Sequence, residues 1–180
     1  MMEVNIETER LLIRPLLSTD VEGMFDLDSN PEVHQYLGNH PVQSKEEIVE
    51  VLAFIQQQYV DNGIGRWAII DRATQDFIGW TGFKYVTEET NGHLHYYDLG
   101  YRLRQKYWGK GLATEAARAC LAYGFNQLDF QEVFAMADCA NDGSNAILTK
   151  LGFTRMEAFD LDGIPHFWYQ LDKASFEGKK

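Results

Sequence analysis

Two cysteines, Cys120 and Cys139, are all that the 180 residues contain. A disulfide framework needs more in a short secreted chain, and neither cysteine stands in a pair spacing suited to a metal. Positive charge is scarce as well: 16 Lys and Arg face 27 Asp and Glu, for a formal net charge of −11. That excludes a non-specific nucleic-acid binder, which needs a basic face to neutralise phosphates. It is compatible with a cationic substrate or basic protein partner drawn in by long-range steering, and equally with simple solubility. No apolar run approaches the length of a membrane span. The first ten residues carry three glutamates and no apolar stretch, so they do not read as a secretory signal. Repeats, low-complexity tracts and Pro/Gly/Ser linkers are missing too. These absences predict one domain spanning residues 1–180, with no metal, nucleic-acid or membrane partner, in a reducing cytoplasm.

What is present is ordinary for a globular protein: 45% hydrophobic and 24% charged, with aromatics somewhat high at 13%. Leu11–Leu16 reads as a first strand ending near Pro15. Ser18, Thr19 and Asp20 can cap a short helix reaching Leu27. Ser44 can cap a longer one, with apolar residues at Ile48, Val51, Leu52 and Ile55 and a stop at Asn62-Gly63. Three strands follow, Arg66–Asp71, Phe77–Val86 and His93–Arg104, joined by short turns and hence antiparallel. Gly109–Leu128 is the strongest helix, with Ala113, Ala116, Ala117, Cys120, Leu121, Phe125 and Leu128 on one stripe. A strand over Phe130–Ala137, a helix over Asn141–Lys150 stopped by Gly152, and strands over Phe153–Phe159 and His166–Leu171 complete the chain, with the tail from Ala174 frayed. The pattern predicts an α/β fold with a mixed, mostly antiparallel sheet and at least one parallel crossover, through the long helix.

Chemistry concentrates where Asp98-Leu99-Gly100-Tyr101-Arg102-Leu103 runs into Trp108-Gly109-Lys110-Gly111-Leu112-Ala113-Thr114. A strand feeds a glycine-rich turn that opens a helix, so unpaired amides and the positive end of the helix dipole face one point. Such a turn suits phosphate oxygens, and Lys110 adds charge. The P-loop spacing is absent. A dinucleotide fingerprint would want a third glycine where Thr114 stands; Asp129 is at a fitting distance, but hairpin strands precede the turn where βαβ units are expected.

The segment resembles motif A of the GCN5-related N-acetyltransferases, in the branch of the bacterial ribosomal-protein acetyltransferases. Asn141-Asp142-Gly143-Ser144 through Lys150-Leu151-Gly152-Phe153 resembles that branch's motif B, and Thr8–Leu16 its usual opening. The likeness covers about Thr8 to Gln170. One departure is Trp108, where the wider family has Gln or Arg; Trp is common there in this branch.

The resemblance implies a central sheet with helices on both faces and a V-shaped splay between the fourth and fifth strands read above, Gly100 marking a bulge that helps open it. It implies acetyl-CoA as donor. The cofactor would be held by Tyr101, Leu103, Trp108, Gly109, Lys110, Gly111, Leu112, Ala113, Thr114 and Asn141. Asp98 is the first candidate for the base that deprotonates the amine, ahead of His93 and His95, and Ser144 for the proton donor to the leaving thiolate. An amide near Leu99–Tyr101 would hold the oxyanion. His34, Tyr36, Trp80, Tyr85 and Tyr97 would line the acceptor side. The acceptor would be a primary amine, of a small molecule or a protein N-terminus, and dimers are common in the branch, so a homodimer is open. Two other readings stand: a non-catalytic acyl-CoA-binding module, and a nucleotide-binding oxidoreductase fragment. Cys120, on the apolar stripe, reads as core, and Glu115 and Arg118 as surface or dipole partners.

Overall fold

A computed structural model describes residues 3–178. Its strands are β1 (Ile6–Glu7), β2 (Leu11–Pro15), β3 (Arg66–Asp71), β4 (Phe77–Val86), β5 (Tyr96–Leu103), β6 (Glu132–Asp138), β7 (Thr154–Leu161) and β8 (Ile164–Asp172). The helices are α1 (Val21–Asp28), α2 (Lys45–Asn62), α3 (Leu112–Asn126), α4 (Asp142–Leu151) and α5 (Lys173–Glu177). All strands join one sheet in the order β1-β2-β3-β4-β5-β6-β8-β7. Neighbours are antiparallel except β5 and β6, the pair that α3 connects. The expected α/β architecture with a mixed, mostly antiparallel sheet is therefore the one observed.

The two faces are covered by different helices because alternate residues of the central strands point opposite ways. Ile13, Trp67, Ile69 and Phe83 meet the α3 stripe of Ala116, Ala117, Cys120, Leu121 and Phe125. Ala68, Ile70 and Trp80 meet Met24 and Leu27 of α1 and Ile48, Leu52 and Ile55 of α2. Each fully buried Leu, Ile or Phe stabilises by about 1.5–3 kcal/mol, so these two layers hold the sheet between them. Helix ends obey local chemistry. Ser44 Oγ accepts from the Glu47 amide at the start of α2, and Gly63 ends it at φ +69°. Asn141 and Gly152 do the same for α4.

Several expectations need correction. A short β1 precedes the first expected strand and pairs Ile6 with Ile13. The third central strand starts at Tyr96, not His93, because Asn91, Gly92 and His95 all take positive φ in a tight turn. The segment expected to fray is α5 as far as Glu177: Asp172 accepts from the Ser175 amide at its start, and Phe176 packs on Phe125 at 5.1 Å. Gly100 marks no bulge. The β4–β5 register runs unbroken through Gly82 and Gly100, and a Cβ on Gly100 would sit 3.0 Å from the Trp80 ring. Its missing side chain makes room for the indole.

Candidate active site

β5 and β6 form one ladder pair, Asp98 opposite Phe134. Beyond that point the strands share no further pair, and a cavity of about 970 Å³ occupies the wedge. The cavity runs from the turn before α3, past β5 and the start of α4, to Trp80 and the loop at residues 32–38.

At the first end, Gly109 (φ +71°) and Gly111 (φ +75°) turn the chain into α3. A Cβ would meet nothing within 4 Å at Gly109 and only the Arg10 guanidinium at Gly111, so the glycines are required by conformation rather than by space. The amides of Gly109 to Thr114 have no acceptor among the described residues. The turn is fastened from outside. Glu115 accepts from Thr8 Oγ1 at 2.7 Å and pairs with the Arg10 guanidinium at 2.6 Å, while Arg10 also donates to the Lys110 carbonyl at 2.9 Å. These bonds hold the Glu115 carboxyl below its usual range although burial opposes them. The indole of Trp108 donates to the Leu103 carbonyl at 2.8 Å, tying the turn to the end of β5.

In the middle, successive β5 residues face opposite layers. Leu99, Tyr101 and Leu103 share the α3 face; Asp98, Gly100 and Arg102 share the Trp80 face. Tyr101 Oη lies 2.8 Å from Ser144 Oγ and donates to the Ser144 carbonyl at 3.1 Å. Burial pushes the Tyr101 phenol up, with the Ser144 bond opposing it. Asn141 Oδ1 accepts from the Ser144 amide at 3.1 Å, so it caps α4 and lines the cavity at once. Asp98 is half-buried, and its Oδ1 is sealed from solvent with no hydrogen-bond partner among the described residues. Burial pushes its pKa up to about 7, against the pull of Arg66 and Lys84.

At the far end, Arg66 and Arg102 both lie against Trp80, at 4.5 and 5.2 Å from the ring. Arg102 pairs with the buried Asp28 at 2.6 Å, and His34 Nε2 sits 3.4 Å from the same carboxylate. Burial, then the Arg102 charge, lowers the His34 pKa.

The cavity thus gathers eleven of the twelve residues expected to have catalytic or cofactor-binding roles: Asp98, Tyr101, Leu103, Trp108, Gly109, Gly111, Leu112, Ala113, Thr114, Asn141 and Ser144. Lys110 is not among the lining residues; its ammonium lies 5.8 Å over the Tyr107 ring on the outer side. Of the acceptor-side candidates, Tyr36 and Trp80 line the cavity, while Tyr97 stacks on Phe130 at 3.9 Å, Tyr85 packs beside it, and His34 is buried behind. His93 stacks on Trp168 at 4.7 Å and His95 is exposed, neither on the cavity. Cys120 is fully buried, and burial pushes its thiol up to about 12. Arg118 donates to the Lys150 carbonyl, and Asp129 pairs with Lys173, both on the surface. Sequence reasoning missed Arg66, Arg102, Glu32 and His166 on the lining. One signal was there: Arg66 shares strand parity with Ala68 and Ile70, so its side chain had to project toward the apolar layer.

The sequence matches the family described as "Acetyltransferase (GNAT) domain" over residues 10–154. It is 29% identical over 150 residues to an N-acetyltransferase of Bacillus subtilis named YoaA, covering 83% of this chain and 82% of that one. Among solved structures, a ribosomal L7/L12 alpha-N-protein acetyltransferase in complex with coenzyme A aligns at a TM-score of 0.80 with 18% identity, covering 94% of this chain and 98% of that one. A spermidine N-acetyltransferase from Vibrio cholerae, in complex with CoA and spermine, aligns at 0.76 with 17% identity, covering 94% and 99%. At these identities the two structures speak for the fold.

Proposed function

Since this chain belongs to the GNAT acetyltransferase family and is an acetyl-CoA-dependent N-acetyltransferase, we propose that it acetylates a primary amine by direct transfer inside the wedge between β5 and β6. One observation carries the reading: a run of unpaired amides at Gly109–Thr114 opens onto the same cavity as the unpartnered carboxylate of Asp98. The proposal treats the chain as one N-acetyltransferase domain with its core at about residues 8–171.

The amides of the turn, at the positive end of α3, would hold the pyrophosphate of the donor, with Tyr101, Leu103, Trp108 and Asn141 along its arm. Asp98 takes a proton from the incoming ammonium, since only the neutral amine has a lone pair. The nitrogen then attacks the thioester carbon. An amide of the Leu99–Tyr101 stretch donates to the oxyanion, the C–S bond breaks, and the thiolate takes a proton from Ser144 Oγ. The second amine proton, released on collapse, balances that transfer. The Tyr101–Ser144 bond fixes the hydroxyl in place. Among acceptors, the L7/L12 enzyme's name points to a protein α-amine, a ribosomal one included, and the spermidine enzyme's to a small amine.

The test follows the thermal unfolding midpoint with acetyl-CoA, CoA and NAD, in the native chain and in Gly111→Asp. A ligand at about 100 times its Kd adds about 2.7 kcal/mol, a rise of roughly 5–10 °C for a chain of this size. The expected result is a rise with both CoA forms, none with NAD, and its loss in Gly111→Asp. No rise with either CoA form would reduce the motif to fold without function, and a rise with NAD alone would revive the dinucleotide reading.

A further inference from the structure

Of the two arginines that line the cavity, Arg66 is the one with no ion-pair partner among the described residues. It begins β3 opposite Gly82, which stands opposite Gly100 on β5, where the Trp80 indole fills the room that Gly100 leaves, and its side chain lines the cavity beside that ring. Its guanidinium lies on the face of Trp80 at 4.5 Å and makes no ion pair or side-chain hydrogen bond among the described residues. Arg102, against the same indole, already has Asp28 at 2.6 Å. Burial, then the Arg102 charge, opposes the charge on Arg66, while Asp98 and Asp28 favour it from beyond ion-pair distance. A half-buried guanidinium kept without a carboxylate is costly unless a ligand supplies one. Asp98 lies on the same face of the sheet, two residues along β5 from Gly100, and is not within ion-pair distance of Arg66.

Resting on the acetyltransferase reading above, we propose that the acceptor is a small amine carrying a carboxylate, an amino acid, with its carboxylate on Arg66 and its amine toward Asp98. Guanidinium and carboxylate match as planar, two-pronged partners. A polyamine would bring further positive charge against Arg66 and Arg102. A peptide α-amine has its own carboxyl consumed in the next amide bond, leaving Arg66 unanswered.

The experiment measures CoA release with the standard amino acids, their carboxamides and spermidine. The expected result is turnover of at least one free amino acid, with kcat/KM for its carboxamide lower by roughly 30-fold or more, chiefly through KM. In Arg66→Gln the acid-to-amide ratio collapses toward one, and in Arg66→Lys part of it is retained. Circular dichroism and the midpoint rise with acetyl-CoA report that each variant is folded. An unchanged ratio in Arg66→Gln, or carboxamides or spermidine turned over as well as the acids, overturns the inference. So does a protein that binds acetyl-CoA and acetylates no free amino acid, which leaves the acetyltransferase reading standing. Failure to bind acetyl-CoA sinks that reading itself.

Discussion

Asp98 shows how one residue can be poised by its surroundings. A carboxylate with a sealed, unpartnered oxygen is held near neutrality by desolvation, and its pKa of about 7 puts half the population in the basic form at neutral pH. Two consequences follow. The kcat/KM should rise with pH through about 7 and level off above it, and Asp98→Asn should lose that limb along with roughly 10²- to 10⁴-fold of the rate. A rate profile of Asp98→Asn that keeps the same limb would assign the base elsewhere. The stability sign is the reverse of the usual carboxylate case. A folded pKa raised from 3.8 to about 7 means that the folded state pays increasingly for ionisation as pH climbs between those values. Asp98→Asn should therefore unfold at a higher temperature than the native chain at pH 8, with the gap closing toward pH 4; melting curves across that range check it.

At the scale of elements, the turn before α3 and the end of α2 make a natural comparison. Gly109 and Gly63 share nearly the same φ, +71° and +69°, and neither has an atom within 4 Å of where a Cβ would be. Alanine at either should cost about 1–2 kcal/mol of backbone strain and lower the midpoint by a few degrees. Only Gly109→Ala should also weaken CoA binding, by about tenfold, because only there do the strained amides face the cavity; calorimetric titration separates the two. Equal loss of affinity in Gly63→Ala would mean that the effect is global. Elements of this kind were legible in the sequence, since caps such as Ser44, Asn141 and Gly152 act through neighbours three or four residues away. The β5-to-α3 turn was legible for the same reason. Gly100 was not: its reason is the Trp80 ring, twenty positions back along the chain and one strand across. Arg66 was passed over although its parity with Ala68 and Ile70 put it on the inward face, because parity tells which face a strand's first residue takes and not that a cavity lies there.

Across the whole molecule, the end of the chain closes the layer that α3 builds. The tail from Ala174 reads as frayed in the sequence, yet Phe176 covers Phe125, and just before it the Lys173 amide donates to the Gln131 carbonyl at 2.9 Å. Truncation after Asp172 should cost about 1–3 kcal/mol and lower the midpoint by roughly 2–10 °C. Scanning calorimetry of the shortened chain checks this, and an unchanged midpoint would show that the packing contributes nothing. The order of the sheet could be read only in part. Hairpin neighbours followed from short turns, but the place of β8 between β6 and β7 depends on pairings more than 20 residues apart along the chain.

The parting of β5 from β6 gives the sheet a frontier in its interior. Ordinary sheet borders invite other chains to stack on and polymerise, and proteins blunt them with charge or proline. Here the start of α3 and the start of α4 line the gap, and the strands converge at Asp98. A slim chain with its own amides could pair with the strand edges that line this lane. Unmet backbone valence that would elsewhere seed aggregation becomes, in this position, the lining of a cavity.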